Sequence, residues 1–135
     1  MTDLTEMIRR CNDAGVRVYI DMVINHMTAD SKGKGTMGSE FDGYNLHYPA
    51  VPFNRSHFNS KAKCGTNDGG IHNWDDPWES RNCELVGLHD LNQDIEYVRQ
   101  KQVQYFNSLI QLGVAGFRID ATKHMYPHTL KQVLN

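Results

Sequence analysis

The sequence predicts an α/β protein built on a parallel sheet. Three observations carry that reading. The order helix, glycine, strand, aspartate occurs twice, in "AGVRVYID" (residues 14–21) and "LGVAGFRID" (residues 112–120). A helical stretch between two strands implies a parallel pair joined by a right-handed crossover. Between the two units, residues 27–93 are rich in Gly, Asn, Asp, His and aromatics. That is too long for an ordinary loop and reads as an insert of short strands and loops.

The elements follow in order. Leu4, Met7, Ile8 and Cys11 recur at helical spacing. Thr2 or Asp3 suits the cap of that helix, and Gly15 its end. "VRVYIDMVI", residues 16–24, is rich in β-branched residues and reads as a strand. Asp94 suits the cap of a second helix, with Val98, Tyr105, Phe106, Leu109 and Leu112 as its apolar positions and Gly113 as its stop. "VAGFRIDA", residues 114–121, is the second strand, and a third helix starts near Pro127, a first-turn residue.

The second strand raises a chemical question. Phe117 and Ile119 share one face; Arg118 and Asp120 share the other. Burying two charges is costly unless they are well paired, so the face holds either a structural ion pair or a site. Carboxylates at strand ends sit where α/β proteins place their chemistry.

Bulk properties exclude some partners. The 135 residues suffice for one ordinary domain, and the formal net charge of -2 gives no electrostatic case for nucleic acid or a membrane surface. No apolar run approaches the ~20 residues of a membrane helix. The opening "MTDLTEMIRR" has no apolar signal-peptide core. Cys64 and Cys83 flank a polar loop and can pair, which leaves Cys11 as a buried thiol or one without its partner. Neither the cysteines nor the histidines show zinc spacing.

Two short motifs and the insert bear a family resemblance. "DMVINH" (residues 21–26) resembles the first short motif of α-amylases, and "GFRIDATKH" (residues 116–124) the second. "YPAVPF" (residues 48–53) and "RNCELVGLHDLN" (residues 81–92) resemble text of the same family's insert. "VAGFRIDATKHM" is closest to the animal-type, chloride-dependent branch. The resemblance implies an α/β fold, a partial (β/α)8 TIM barrel running from the second helix to the start of the fourth. Residues 1–26 and 94–135 are then barrel segments, and residues 27–93 an irregular, β-rich domain B after the third strand. Met37 stands where many animal amylases have a cysteine.

The family cleaves α-1,4-glucosidic bonds with retention, using two carboxyl groups about 5–5.5 Å apart. By motif position Asp120 is the nucleophile, with Arg118 supplying positive charge and binding chloride. The general acid has no counterpart here, since Glu79, Glu84 and Glu96 stand in the wrong context and read as solvated charges. The isolated segment is therefore expected to be inactive. His26, Lys123 and His124 resemble residues lining sugar subsites, and Trp74 either lines the cleft or packs inside domain B. His47, His57, His72 and His128 read as ordinary surface or core residues, and Asp21 as a structural carboxylate.

The resemblance also implies calcium, held by the side chains of Asn25 and Asp90 and the backbone carbonyls of Arg81 and His124. It implies starch, glycogen and malto-oligosaccharides as partners, no nucleic acid or membrane, secretion with the signal outside this segment, and a monomeric full-length protein. Rival expectations are a related α-glucosidase, a catalytically dead binding protein on the same fold, and a metal hydrolase built on the histidines.

Overall fold

The computed structural model describes the backbone of residues 2–135 and the side chains of residues 3–135. Strands β1 (Tyr19–Met22) and β4 (Gly116–Ile119) pair in parallel, with Tyr19, Ile20, Asp21 and Met22 opposite Gly116, Phe117, Arg118 and Ile119. This register puts Ile20, Met22, Phe117 and Ile119 on one face. There they pack with Ile24 and residues of α1 (Thr2–Asp13), α4 (Glu96–Gln111) and α5 (Pro127–Leu134). The centre of that core is Met22, Phe106, Leu109, Met125 and Val133, with the Phe106 ring edge-on to Phe117 at 4.8 Å. Tyr19, Asp21 and Arg118 take the other, open face. Tyr19 lies over Gly116, where a Cβ would meet its ring at 2.7 Å.

The first strand is shorter than the run at residues 16–24 suggested. Its ladder extends only as far as β4 does, with end bonds from Ala115 N–H to the Val18 carbonyl and from Asp120 N–H to the Met22 carbonyl. Asp94 does not cap α4. The helix starts two residues later, after Ile95, without a side-chain cap, while Asp94 pairs with Lys63 at 3.1 Å. Arg99 instead donates to the carbonyls of Gln93 and Asp94 and ties down the helix entry. The buried stripe of α4 is Val98, Gln102, Phe106 and Leu109, and Tyr105 faces solvent at 48% exposure. In α1, Ile8 is fully buried and Leu4 joins the core, but Met7 is exposed. Asp3 lies inside the first turn of α1 and is not its N-cap; the side chain of Thr2 lies outside the described residues.

Residues 27–93 contain less strand than expected. Strands β2 (Lys32–Lys34) and β3 (Glu40–Asp42) are antiparallel, and α2 (Lys61–Cys64) and α3 (Pro77–Asn82) are short helices. Isolated bridges link the rest, among them His26 with Asp90 and Phe58 with Leu91. Tyr48, Phe53, Phe58 and Leu91 form a second core that also takes Val98 of α4. A disulfide joins Cys64 to Cys83, and Cys11 is a half-buried free thiol.

Candidate functional site

The parallel pairing brings the ends of β1 and β4 side by side. Arg118 Nη1 donates to both oxygens of Asp21, at 2.8 and 2.7 Å, and to Asp120 Oδ1 at 3.1 Å. These carboxylates, Asp21 first, push the guanidinium pKa up. The charges are not buried within this structure, so the desolvation cost expected for them is small and the pairs are screened by water. Arg118 makes its shortest contacts across the sheet to Asp21, and the bond to Asp120 is the longer one. Its three contacts all use Nη1, which leaves Nη2 and Nε without partners among the described residues.

The chain turns sharply after Asp120. Ala121 adopts a left-handed conformation, φ 53°, and leads into a 3₁₀ turn at Thr122–His124. A non-glycine residue held there stores strain, a feature that clusters at functional sites. His124 is buried, and its Nδ1–H donates to the Ser80 carbonyl at 2.8 Å, leaving Nε2 as the acceptor. His26 is half-buried at the end of the neighbouring strand. Its Nδ1 accepts from the Asn25 amide at 3.3 Å, so the neutral ring carries its proton on Nε2. Burial lowers the His26 pKa, Asp120 opposes that shift and His124 adds to it. His26, Asp120 and His124 therefore share one electrostatic neighbourhood.

Trp74 is not a core residue. It is 47% exposed, belongs to neither apolar cluster, and stands edge-on to His124 at 6.1 Å. Lys123 Nζ donates to the Trp74 carbonyl at 3.0 Å. Trp74, Ser80, Arg81 and Lys123 line a surface hollow of about 170 Å³.

Beneath His26 lies a set of buried oxygens. Asn25 is fully buried, and its Oδ1 has no hydrogen-bond partner. Asp90 is 2% exposed, and burial pushes its pKa up to about 8, against a 2.6 Å hydrogen bond from Asn59. The bridge from His26 to Asp90 and the bond from Leu91 N–H to the Asn25 carbonyl hold these groups together. An orphaned amide oxygen beside a buried carboxylate fits a hard cation, which takes oxygen ligands. Arg81 adjoins through Ser80, whose carbonyl holds His124, and its guanidinium lies over the Tyr126 ring at 5.5 Å. Among the described residues no three His, Cys, Asp or Glu side chains converge as a metal-binding group, so a cation here depends on amide and backbone oxygens.

Two glutamates differ from the solvated reading. Glu79 accepts from the backbone of His72 and Asn73, and Glu84 pairs with His89 at 2.7 Å. Glu96 lies on the surface of α4 beside Gln100. The sequence reasoning passed over His89, Asn59, Gln93 and Gln102. The two glutamines both donate to the Ile24 carbonyl, at 3.0 and 2.8 Å, and fix the strand end that precedes Asn25. Gln102 was detectable, because it interrupts the apolar stripe between Val98 and Phe106.

Parallel strands that deliver a carboxylate and two histidines at their carboxyl ends define an α/β protein of the class that builds sites there. Comparison with known proteins narrows the class. The family described as "Alpha amylase, catalytic domain" matches residues 1–133. The chain is 53% identical over 127 residues to the α-amylase of Dermatophagoides pteronyssinus, covering 94% of this chain and 26% of that protein. It is 47% identical over 136 residues to the pancreatic α-amylase of Sus scrofa, covering 98% and 26%. A crystal structure of an Eisenia fetida α-amylase I variant in complex with maltohexaose superposes with a TM-score of 0.95 at 46% identity, covering 98% of this chain and 27% of that one. The chain belongs to the α-amylase family. It spans about a quarter of the length of the curated relatives it matches.

Proposed function

We propose that this chain supplies part of the substrate cleft of a secreted, monomeric, retaining α-amylase that cleaves internal α-1,4-glucosidic bonds of starch, glycogen and malto-oligosaccharides. The observation that carries the reading is the placement of Asp120: at a strand end, against a guanidinium, before a strained turn, and in the electrostatic neighbourhood of His26, which also feels His124. In this reading β1 and β4 are the third and fourth strands of a (β/α)8 barrel, made by residues 1–26 and 94–135, and residues 27–93 are domain B. The Cys64–Cys83 disulfide supports an oxidising, extracellular setting.

Asp120 attacks the anomeric carbon, and the Arg118 N–H that donates to its Oδ1 holds the carboxyl group in place. His26 offers Nε2–H to a sugar hydroxyl, and His124 offers Nε2 as an acceptor. Trp74 presents an exposed aromatic ring for a sugar face, and Lys123 sits beside it as a further hydroxyl donor. Asn25 and Asp90, with the carbonyls of Arg81 and His124, would hold calcium, and so held these residues would staple residues 27–93 to the strand ends. The free Nη2 and Nε of Arg118 suit chloride.

In this reading none of the described carboxylic acids is the partner acid. Asp21 accepts from Arg118 with both oxygens, which suits an anchor and not a proton donor, and Glu79 and Glu84 are engaged elsewhere. By itself it should release no reducing sugar from starch. The test is a graft: residues 1–135 replace the matching segment of the Eisenia fetida enzyme, and starch hydrolysis is measured. An active graft that loses activity on Asp120→Asn supports the reading. A variant keeping more than about a tenth of kcat would place the nucleophile elsewhere.

A further inference from the structure

The chain contains one Asn-X-Ser/Thr sequence, Asn54-Arg55-Ser56. We infer that Asn54 is a site of N-linked glycosylation, an inference that rests on the secreted reading. Such a sequence is an acceptor only where the chain is exposed and passes through the secretory route. Asn54, Arg55 and Ser56 are all exposed, in a turn between the buried residues Phe53 and Phe58.

The local hydrogen bonds show that the folded turn accommodates the modified side chain. Asn54 caps the 3₁₀ turn Arg55–His57 with its oxygen alone: Oδ1 accepts from Ser56 N–H at 3.0 Å and from the Ser56 hydroxyl at 2.7 Å. Its backbone N–H donates to His57 Nδ1, which completes a reciprocal cap. No described residue accepts from Nδ2. The atom that would carry the sugar is therefore the one the fold does not use. Attachment replaces one Nδ2 hydrogen and leaves Oδ1 an acceptor, so the cap survives modification.

The donor class is an oligosaccharide linked to a lipid pyrophosphate. The bond from the sugar C1 to pyrophosphate oxygen breaks, and a bond from C1 to Asn54 Nδ2 forms. The Nδ2 proton and the lipid pyrophosphate leave. No oxidant or reductant is needed.

The test expresses the full 135-residue chain behind a secretion leader in insect cells, and both medium and lysate are analysed. The expected result is a slow-migrating form, collapsed by an amidase that cleaves the Asn–sugar bond and leaves Asp at position 54. Ser56→Ala keeps the backbone cap bond but removes the hydroxyl, and it should abolish the slow form completely. Ser56→Thr should retain it. Attachment occurs on the emerging chain, so a variant that folds poorly still reports in the lysate. An Asn54 peptide found wholly unmodified in wild-type medium and lysate overturns the inference, as does a sugar that persists in Ser56→Ala. The starch assay on a graft made in bacteria, which supply no such donor, tests the amylase reading separately.

Discussion

Arg118 and Asp21 face each other across the parallel pair of β1 and β4, joined through a single guanidinium nitrogen at 2.7 and 2.8 Å. The same nitrogen reaches Asp120, so the arginine hangs between two carboxylates and exposes its remaining donors. In the active graft, Arg118→Gln should erase any chloride activation and lower kcat. Chloride dependence unchanged from the parent graft would reject Arg118 as the anion's ligand.

The buried Asp90 makes stability depend on pH in a defined direction. Its folded pKa is raised to about 8, above its ordinary carboxylate value, so the folded state holds a proton that the unfolded chain gives up. In chelator, its contribution is intact below about pH 4, falls between there and about pH 8 at up to ~1.4 kcal/mol per pH unit, and is lost above that. In the proposed cation site calcium would take the place of that proton, so adding it should restore Tm most at the alkaline end. Asp90→Asn should flatten the pH dependence in chelator and remove the calcium response. Identical melting curves with calcium and with chelator at pH 8 would eliminate the cation site.

Breaking the disulfide should loosen the loop it closes. Cys64 and Cys83 are 19 residues apart, a closure worth about 3 kcal/mol in the chain-entropy picture. Replacing both by serine should lower unfolding free energy by about that amount, read in a urea titration. A change below about 0.5 kcal/mol would mean the unfolded chain gains little freedom there.

Val86 is a β-branched residue in a left-handed conformation, φ 47°, followed by Gly87 at φ 79°. The two form the tip of a tight turn between Leu85 and Leu88, a setting that favours asparagine before glycine. Val86 is 76% exposed, so little packing is at stake. Val86→Asn should stabilise by roughly 1 kcal/mol, seen as a higher urea midpoint, and a lower midpoint would show that the valine is favoured by contacts.

What could be read from the residues and what could not divide along physical lines. The alternation at residues 116–120 was legible because one apolar face and one charged face follow directly from a strand's period. That Arg118 would turn to Asp21 was not, because the contact spans 97 positions and depends on the strand register. The start of α4 was misjudged because Asp94 has the right chemistry for a cap, but Lys63, from 31 positions away, engages its side chain. The burial of Asp90 and the orphaned oxygen of Asn25 leave no mark in spacing. They arise where residues 27–93 fold back against the end of β1. His89 escaped notice because only tertiary contact with Glu84 and Asp30 distinguishes it from a surface histidine.

The stretch after β1 leaves at His26 and comes back at Asp90, and those two residues are bridged to each other, while Met27 N–H bonds to the His89 carbonyl just above. Below that junction Gln93 and Gln102 grip the Ile24 carbonyl. Departure and return thus meet at one narrow neck clamped from beneath. Because β1 is held from below the neck, exchanging the stretch above it should leave the register of β1 unchanged, which makes the His26–Asp90 junction the place to splice in the corresponding stretch of a relative.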